Sequence, residues 1–92
     1  DHLFEAILSL KDVEECYRFF DDLCTFSEIQ AMTQRLQVAR MLEEGCTFSQ
    51  ISKEIGVSSA TITRVNKCIS YGADGYKIAL ERLGEREKPQ KA

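Results

Sequence analysis

The tightest constraint in this sequence is the register of small and apolar residues around Gly56. From Phe48 to Val65 the chain reads F-S-Q-I-S-K-E-I-G-V-S-S-A-T-I-T-R-V. Ile51 and Ile55 share one face of a helix that stops at the glycine. Ser52 is small where a second helix must come close. Gly56 takes φ > 0 without steric cost, as a tight turn between helices requires. Val57 is placed to plug that turn, and Ser58 to accept from the N–H groups opening the next helix. Ile62 and Val65, three apart, bring the second helix's apolar face back onto the first. The spacing predicts a helix-turn-helix over residues 47–70. Plain core packing explains each apolar position alone; only the shared register explains them together.

The residues left pointing outward are Ser58, Ser59, Ala60, Thr63 and Arg64, with Lys53 and Lys67 nearby. Small polar groups, a methyl and three cations suit a helix end that enters the major groove. The net charge of −3 looks unfavourable for that role, but its distribution is not. Residues 1–44 carry ten acids and four bases, whereas residues 45–92 carry five acids and eight bases. An acidic dimerisation half beside a basic, DNA-facing half fits this asymmetry. Solvated helix faces account equally well for any single charge.

Ninety-two residues make one domain. A chain under about 100 residues buries only roughly 60–65% of its unfolded surface, so a partner chain is a plausible source of stability. No run of about 18 apolar residues could span a bilayer. No basic segment followed by an apolar one opens the chain, although Asp1 is not an initiator methionine. Cys16, Cys24, Cys46 and Cys68 form no C-x-x-C pair and His2 is the only histidine, so no zinc site is expected. Buried, reduced thiols in a cytoplasmic protein are the expectation.

Every segment reads helical, and the fold class is all-α. Leu3, Phe4, Ile7 and Leu8 lie on one face of a short first helix. Asp12, with Glu15 three residues on, starts a second. Its stripe of Val13, Cys16, Tyr17, Phe20, Leu23 and Cys24 reads as structural core rather than an aromatic ligand cage. Thr25-Phe-Ser-Glu28 is a capping box opening a long third helix to about Glu44, with Gly45 as C-cap. Ile29, Met32, Leu36 and Ala39 form a seam on it, and Val38, Met41 and Leu42 add more apolar surface than one neighbouring hairpin covers. A second chain packing there is the natural inference. Thr47-Phe-Ser-Gln50 repeats the capping box. The reading helix is expected over 59–70, broken by Gly72. A last helix with Tyr76, Ala79, Leu80 and Leu83 on one side is expected to close at Gly84. Residues 85–92 alternate charges, contain the only proline and read as a flexible tail.

With those residues in view, the chain from about Leu3 to Leu83 resembles the Trp repressor superfamily, and within it the YerC/YecD-type branch. The resemblance rests on L-C-T-F-S-E at 23–28, on Arg35 within Q-R-L-Q-V-A-R, and above all on A-T-I-T-R at 60–64. It implies a single helical domain over 1–84 and an intertwined homodimer. It further implies paired reading helices set for successive major grooves, about 34 Å apart for half-sites one turn apart. In Trp repressors the corepressor's indole lies between two arginines, and Arg35 and Arg64 match them. Thr25 matches another pocket position. Two positions depart from the pattern: Val65 stands where Trp repressors have glycine, and Cys68 where they have serine. A branched side chain fills room that glycine leaves beside the indole, and a thiol is a weaker hydrogen-bond partner than a hydroxyl. No tryptophan binding is therefore expected.

The expected function is sequence-specific binding of double-stranded DNA by a homodimeric, cytoplasmic transcriptional regulator that needs no cofactor. Ser58, Ser59, Ala60 and Thr63 would approach base edges, while Lys53, Arg64 and Lys67 neutralise phosphates. The rival from another class is a helical interaction module of the transcription machinery that does not touch DNA. An enzyme is not expected: His2 is terminal and no cysteine has an evident activating partner. Glu14–Glu15 and Glu43–Glu44 are sequence neighbours and diverge around their helices.

Overall fold

The computed structural model describes residues 1–87, which form six α-helices. These are α1 (His2–Leu8), α2 (Val13–Leu23), α3 (Phe26–Glu43), α4 (Phe48–Ile55), α5 (Ser59–Tyr71) and α6 (Gly75–Glu87). There is no strand among the described residues, as the periodicity requires. The chain divides into two compact units, Asp1–Met32 and Thr33–Ala92, with the boundary inside α3.

In the first unit, short polar side chains set the helix starts. Asp1 Oδ1 accepts from the Leu3 N–H at 3.0 Å, and Asp12 Oδ1 from the Glu15 N–H at 2.9 Å. The expected box at 25–28 is closed in both directions. Thr25 N–H donates to Glu28 Oε1 at 2.8 Å, and Glu28 N–H donates to Thr25 Oγ1 at 3.2 Å. The apolar stripe of α2 departs from expectation. No residue of α1 or α2 is buried. Tyr17 is 70% exposed, and Phe19 and Phe20 meet edge-to-face at 5.5 Å without being enclosed. Two short helices lack the surface to cover each other's apolar stripes, so this face forms no core within the unit.

The second unit holds the core of buried residues: Val38, Ala39, Ile51, Val57, Ile62 and Val65. Met41, Leu42, Ile55, Ile69, Tyr76 and Leu80 pack around it, half-buried. α3 ends in a Schellman motif: the Cys46 N–H donates to the Met41 carbonyl at 3.0 Å and the Gly45 N–H to the Leu42 carbonyl at 3.1 Å. The motif turns the chain so that α4 returns toward the end of α3. The Thr47–Gln50 capping box opens α4. α5 packs on α4 and α6 on α5.

Three expectations need correction. α6 passes through Gly84 and runs to Glu87, so the glycine does not close it and residues 85–87 are helical. Good helix formers on either side, Glu81, Arg82, Leu83, Glu85 and Arg86, outweigh one glycine's cost of about 1 kcal/mol. The remainder of the expected tail, 88–92, lies outside the described residues. The cysteines are free but not buried: Cys16, Cys24 and Cys46 are half-buried and Cys68 is exposed.

Two glycines should respond in opposite directions. A Cβ on Gly72 would drive into the Cys68 carbonyl, while nothing stands within 4 Å of the corresponding position on Gly84. Gly72→Ala should lower stability by about 1–3 kcal/mol. Gly84→Ala should raise it by about 0.5–1 kcal/mol, and thermal melts of the two variants check both signs.

Glu28 gives a pH signature. Accepting from the Thr25 backbone N–H, and then bonding its side chain, holds the Glu28 carboxyl below its ordinary 4.5. A depressed folded value means the ionised form is the one the fold favours. Its contribution is complete above 4.5 and is lost as pH falls through the lower folded value. Glu28→Gln keeps an acceptor oxygen but cannot titrate. The melting-temperature gap between wild type and this variant should shrink from pH 7 to pH 3; a constant gap would show that the charge does not matter.

Candidate nucleic-acid interface

The candidate site is built on α4, the turn at Gly56 and α5. Gly56 has φ +80, and its N–H donates to the Ser52 carbonyl at 2.9 Å, closing α4. No atom within 4 Å blocks a Cβ there, so the glycine is required by backbone conformation rather than by crowding. Val57 follows with its side chain 8% exposed, filling the turn from inside. Ser58 then caps α5: its Oγ accepts from the Thr61 N–H at 3.2 Å, and its carbonyl accepts from the Ile62 N–H at 3.2 Å.

Along α5, successive residues serve opposite faces. Ile62 and Val65 are buried and point to the core, with Ile69 half-buried below them. Ser59, Ala60, Thr63, Arg64 and Lys67 are exposed, as is the cap residue Ser58. Ala60, Arg64 and Lys67 follow one another at spacings of four and three, one line along the helix. Lys53 is exposed on α4. All seven residues expected at the interface thus lie on α4, α5 or the cap between them, and all are open to solvent. None of Lys53, Arg64 or Lys67 is paired with a carboxylate among the described residues. Their charge is free for an external anion, and the N-terminus of α5 adds partial positive charge at the same end.

Two contributors were not foreseen. Thr61 lies beside the cap, its Oγ1 3.2 Å from Ser58 Oγ, so the two hydroxyls form a pair. Ser52, expected only to be small, donates its hydroxyl to the Val57 carbonyl at 3.1 Å. The signal for the second was a hydroxyl residue one turn before Gly56, but its reach depends on the turn's conformation.

The residues suggested as an effector pocket belong to both units. Thr25 is in the first unit, where its Oγ1 serves as the α3 cap. Arg35 is half-buried on α3; Arg64 and Cys68 are exposed on α5. Val65 lies between them in sequence but is 1% exposed, packed in the core with Ile51, Val57 and Ile62. Among the described residues no group of three or more His, Cys, Asp or Glu could hold a metal ion. No described helix is long and apolar enough to cross a membrane.

Comparison with known proteins identifies the family and the fold. The sequence model of the family described as Trp repressor protein matches residues 1–84. The uncharacterized protein YerC of Bacillus subtilis (strain 168) is 62% identical over 87 residues, spanning 95% of this chain and 84% of that protein. The crystal structure of a Trp repressor candidate from Staphylococcus aureus superposes with a TM-score of 0.88 at 52% identity, over 91% of this chain and 84% of that one. The crystal structure of a TrpR like protein from Eubacterium eligens ATCC 27750 does so with a TM-score of 0.87 at 53% identity, over 95% and 90%.

Proposed function

The chain belongs to the Trp repressor family, and from that membership we propose that it is a transcriptional regulator that binds specific sequences of double-stranded DNA as a homodimer. The observation that carries this reading is the division of α5 into a buried edge, Ile62 and Val65, and an open edge of small polar residues and unpaired cations. The buried edge holds the helix rigidly on α4. The open edge offers hydroxyls from Ser59 and Thr63 and a methyl from Ala60 to base edges in the major groove. Ser58 contributes chiefly by ordering the first turn. Lys53, Arg64 and Lys67 contact phosphates, which fix register without reading sequence.

The dimer is supported by the first unit. Leu8, Val13, Tyr17 and Phe26 are each more than 60% exposed there, a density of apolar surface unusual for a lone chain. A second copy covering these helices gives them the enclosure they lack alone. It also presents two reading helices at once, which suits a duplex. We place the protein in the cytoplasm, with its DNA, and assign it no catalytic role.

L-Tryptophan is the effector that the family implies, and two residues argue against it here. Val65, on the reading helix itself, stands where Trp repressors have glycine and has its side chain in the core, and Thr25 Oγ1 is engaged in capping. We propose regulation that is independent of tryptophan. In a thermal-shift series, tryptophan and related indoles should give no concentration-dependent rise in melting temperature; a saturable rise would overturn this part of the proposal.

Fluorescence anisotropy on mixed duplex at low salt tests the DNA reading directly. Arg64→Ala should weaken binding to every duplex and reduce the slope of log K against log salt by about one unit. An unchanged slope removes Arg64 from the phosphate contacts. Failure of the wild-type chain to bind any duplex favours the interaction-module alternative.

A further inference from the structure

We propose that Ser52 is a positioning residue for DNA recognition, a clasp that sets the angle of α5 and so the discrimination between sequences. This inference rests on the DNA-binding reading above and names a residue outside the contact surface. Ser52 is half-buried on α4 and grips the turn at two points. Its carbonyl accepts from the Gly56 N–H at 2.9 Å, and its hydroxyl donates to the Val57 carbonyl at 3.1 Å. One residue therefore ties down both sides of the left-handed step at Gly56.

The second bond matters for direction. The Val57 carbonyl is the last backbone group before the cap residue of α5. Among the described residues no backbone N–H outside the helices reaches it. Without Ser52 Oγ, the plane of the peptide between Val57 and Ser58 is left to the packing of the Val57 side chain and to the Ser58 cap. Rotation of that plane swings the start of α5, where Ser59, Ala60 and Thr63 lie. Base-edge contacts demand placement within a few tenths of an ångström, whereas long cationic side chains follow a phosphate through small rotations. Loss of the clasp therefore degrades sequence discrimination and spares non-specific affinity. Because the hydroxyl is half-buried, water replaces it poorly as a donor to that carbonyl.

The test uses the full chain and a duplex obtained by selection from a random pool with the wild-type protein. Anisotropy titrations then give affinities for the selected duplex and for a scrambled one of equal length. Ser52→Ala keeps the small volume and removes the donor; Ser52→Thr restores the hydroxyl. The expected result is a ratio of selected to scrambled affinity lowered by roughly 3- to 10-fold in Ser52→Ala, the range one net hydrogen bond supports. The scrambled affinity and the salt slope should be unchanged, and Ser52→Thr should recover the ratio. Hydrogen exchange should show faster exchange at the Thr61 and Ile62 amides, which bond to Ser58, in Ser52→Ala with the α6 amides unaffected. An unchanged ratio in Ser52→Ala, or a parallel loss on both duplexes, overturns the inference while leaving DNA binding intact. Failure of the wild-type chain to enrich any duplex overturns the DNA reading itself, and this inference falls with it.

Discussion

The second unit depends on one contact set: Val57, Ile62 and Val65 closing over Ile51 against the neighbouring pair Val38 and Ala39. Six buried residues are a small core, so each contributes a large share of the unit's stability. Removing a single large aliphatic from such a core costs about 2–5 kcal/mol, comparable with the net stability of a small domain. The same contacts hold α5 with its polar edge outward. Stability and the presentation of the reading edge therefore come from one set of side chains. This is why a branched residue at position 65 belongs in the core.

Much of this was legible because the decisive signals were local. Gly56 between Ile55 and Val57, the capping boxes at 25–28 and 47–50, and the Ile62–Val65 return each lie within a few residues, and all appear in the structure. What could not be read depended on longer reach. The α2 stripe had the pattern of a core, but whether a stripe is enclosed depends on what covers it, and one unit of two short helices and a helix start covers nothing fully. Gly84 looked like a stop because glycine often is one; the helix formers beside it decided otherwise. Ser52's hydroxyl bond needed the turn's actual φ and ψ before its acceptor could be named. For the candidate interface, the seven residues were legible by face. The capping role of Ser58 was legible as well, whereas the pairing of the Thr61 hydroxyl with it was not.

Charge and burial tell a consistent story about the two units. The first unit combines exposed apolar helices with eight acids and two bases, and the second combines the enclosed core with seven acids and ten bases. In the proposed dimer, repulsion between the acids of the first unit and the phosphates is reduced by salt screening. The basic edge of α5 acts at contact distance, where a modest local positive charge outweighs a net charge of −3.

The alternation of duties along α5 also limits how such a protein can diversify. Position 62 supports, 63 and 64 face outward, and 65 supports again. Inserting or deleting one residue would rotate everything beyond it by about 100°, turning arginine inward and leaving valine in water. On the proposed reading, new binding preferences arise by exchanging side chains at 59, 60 and 63, whereas changes of length must accumulate in the loops between helices. The helix is a fixed reading frame, and only its letters are open to revision.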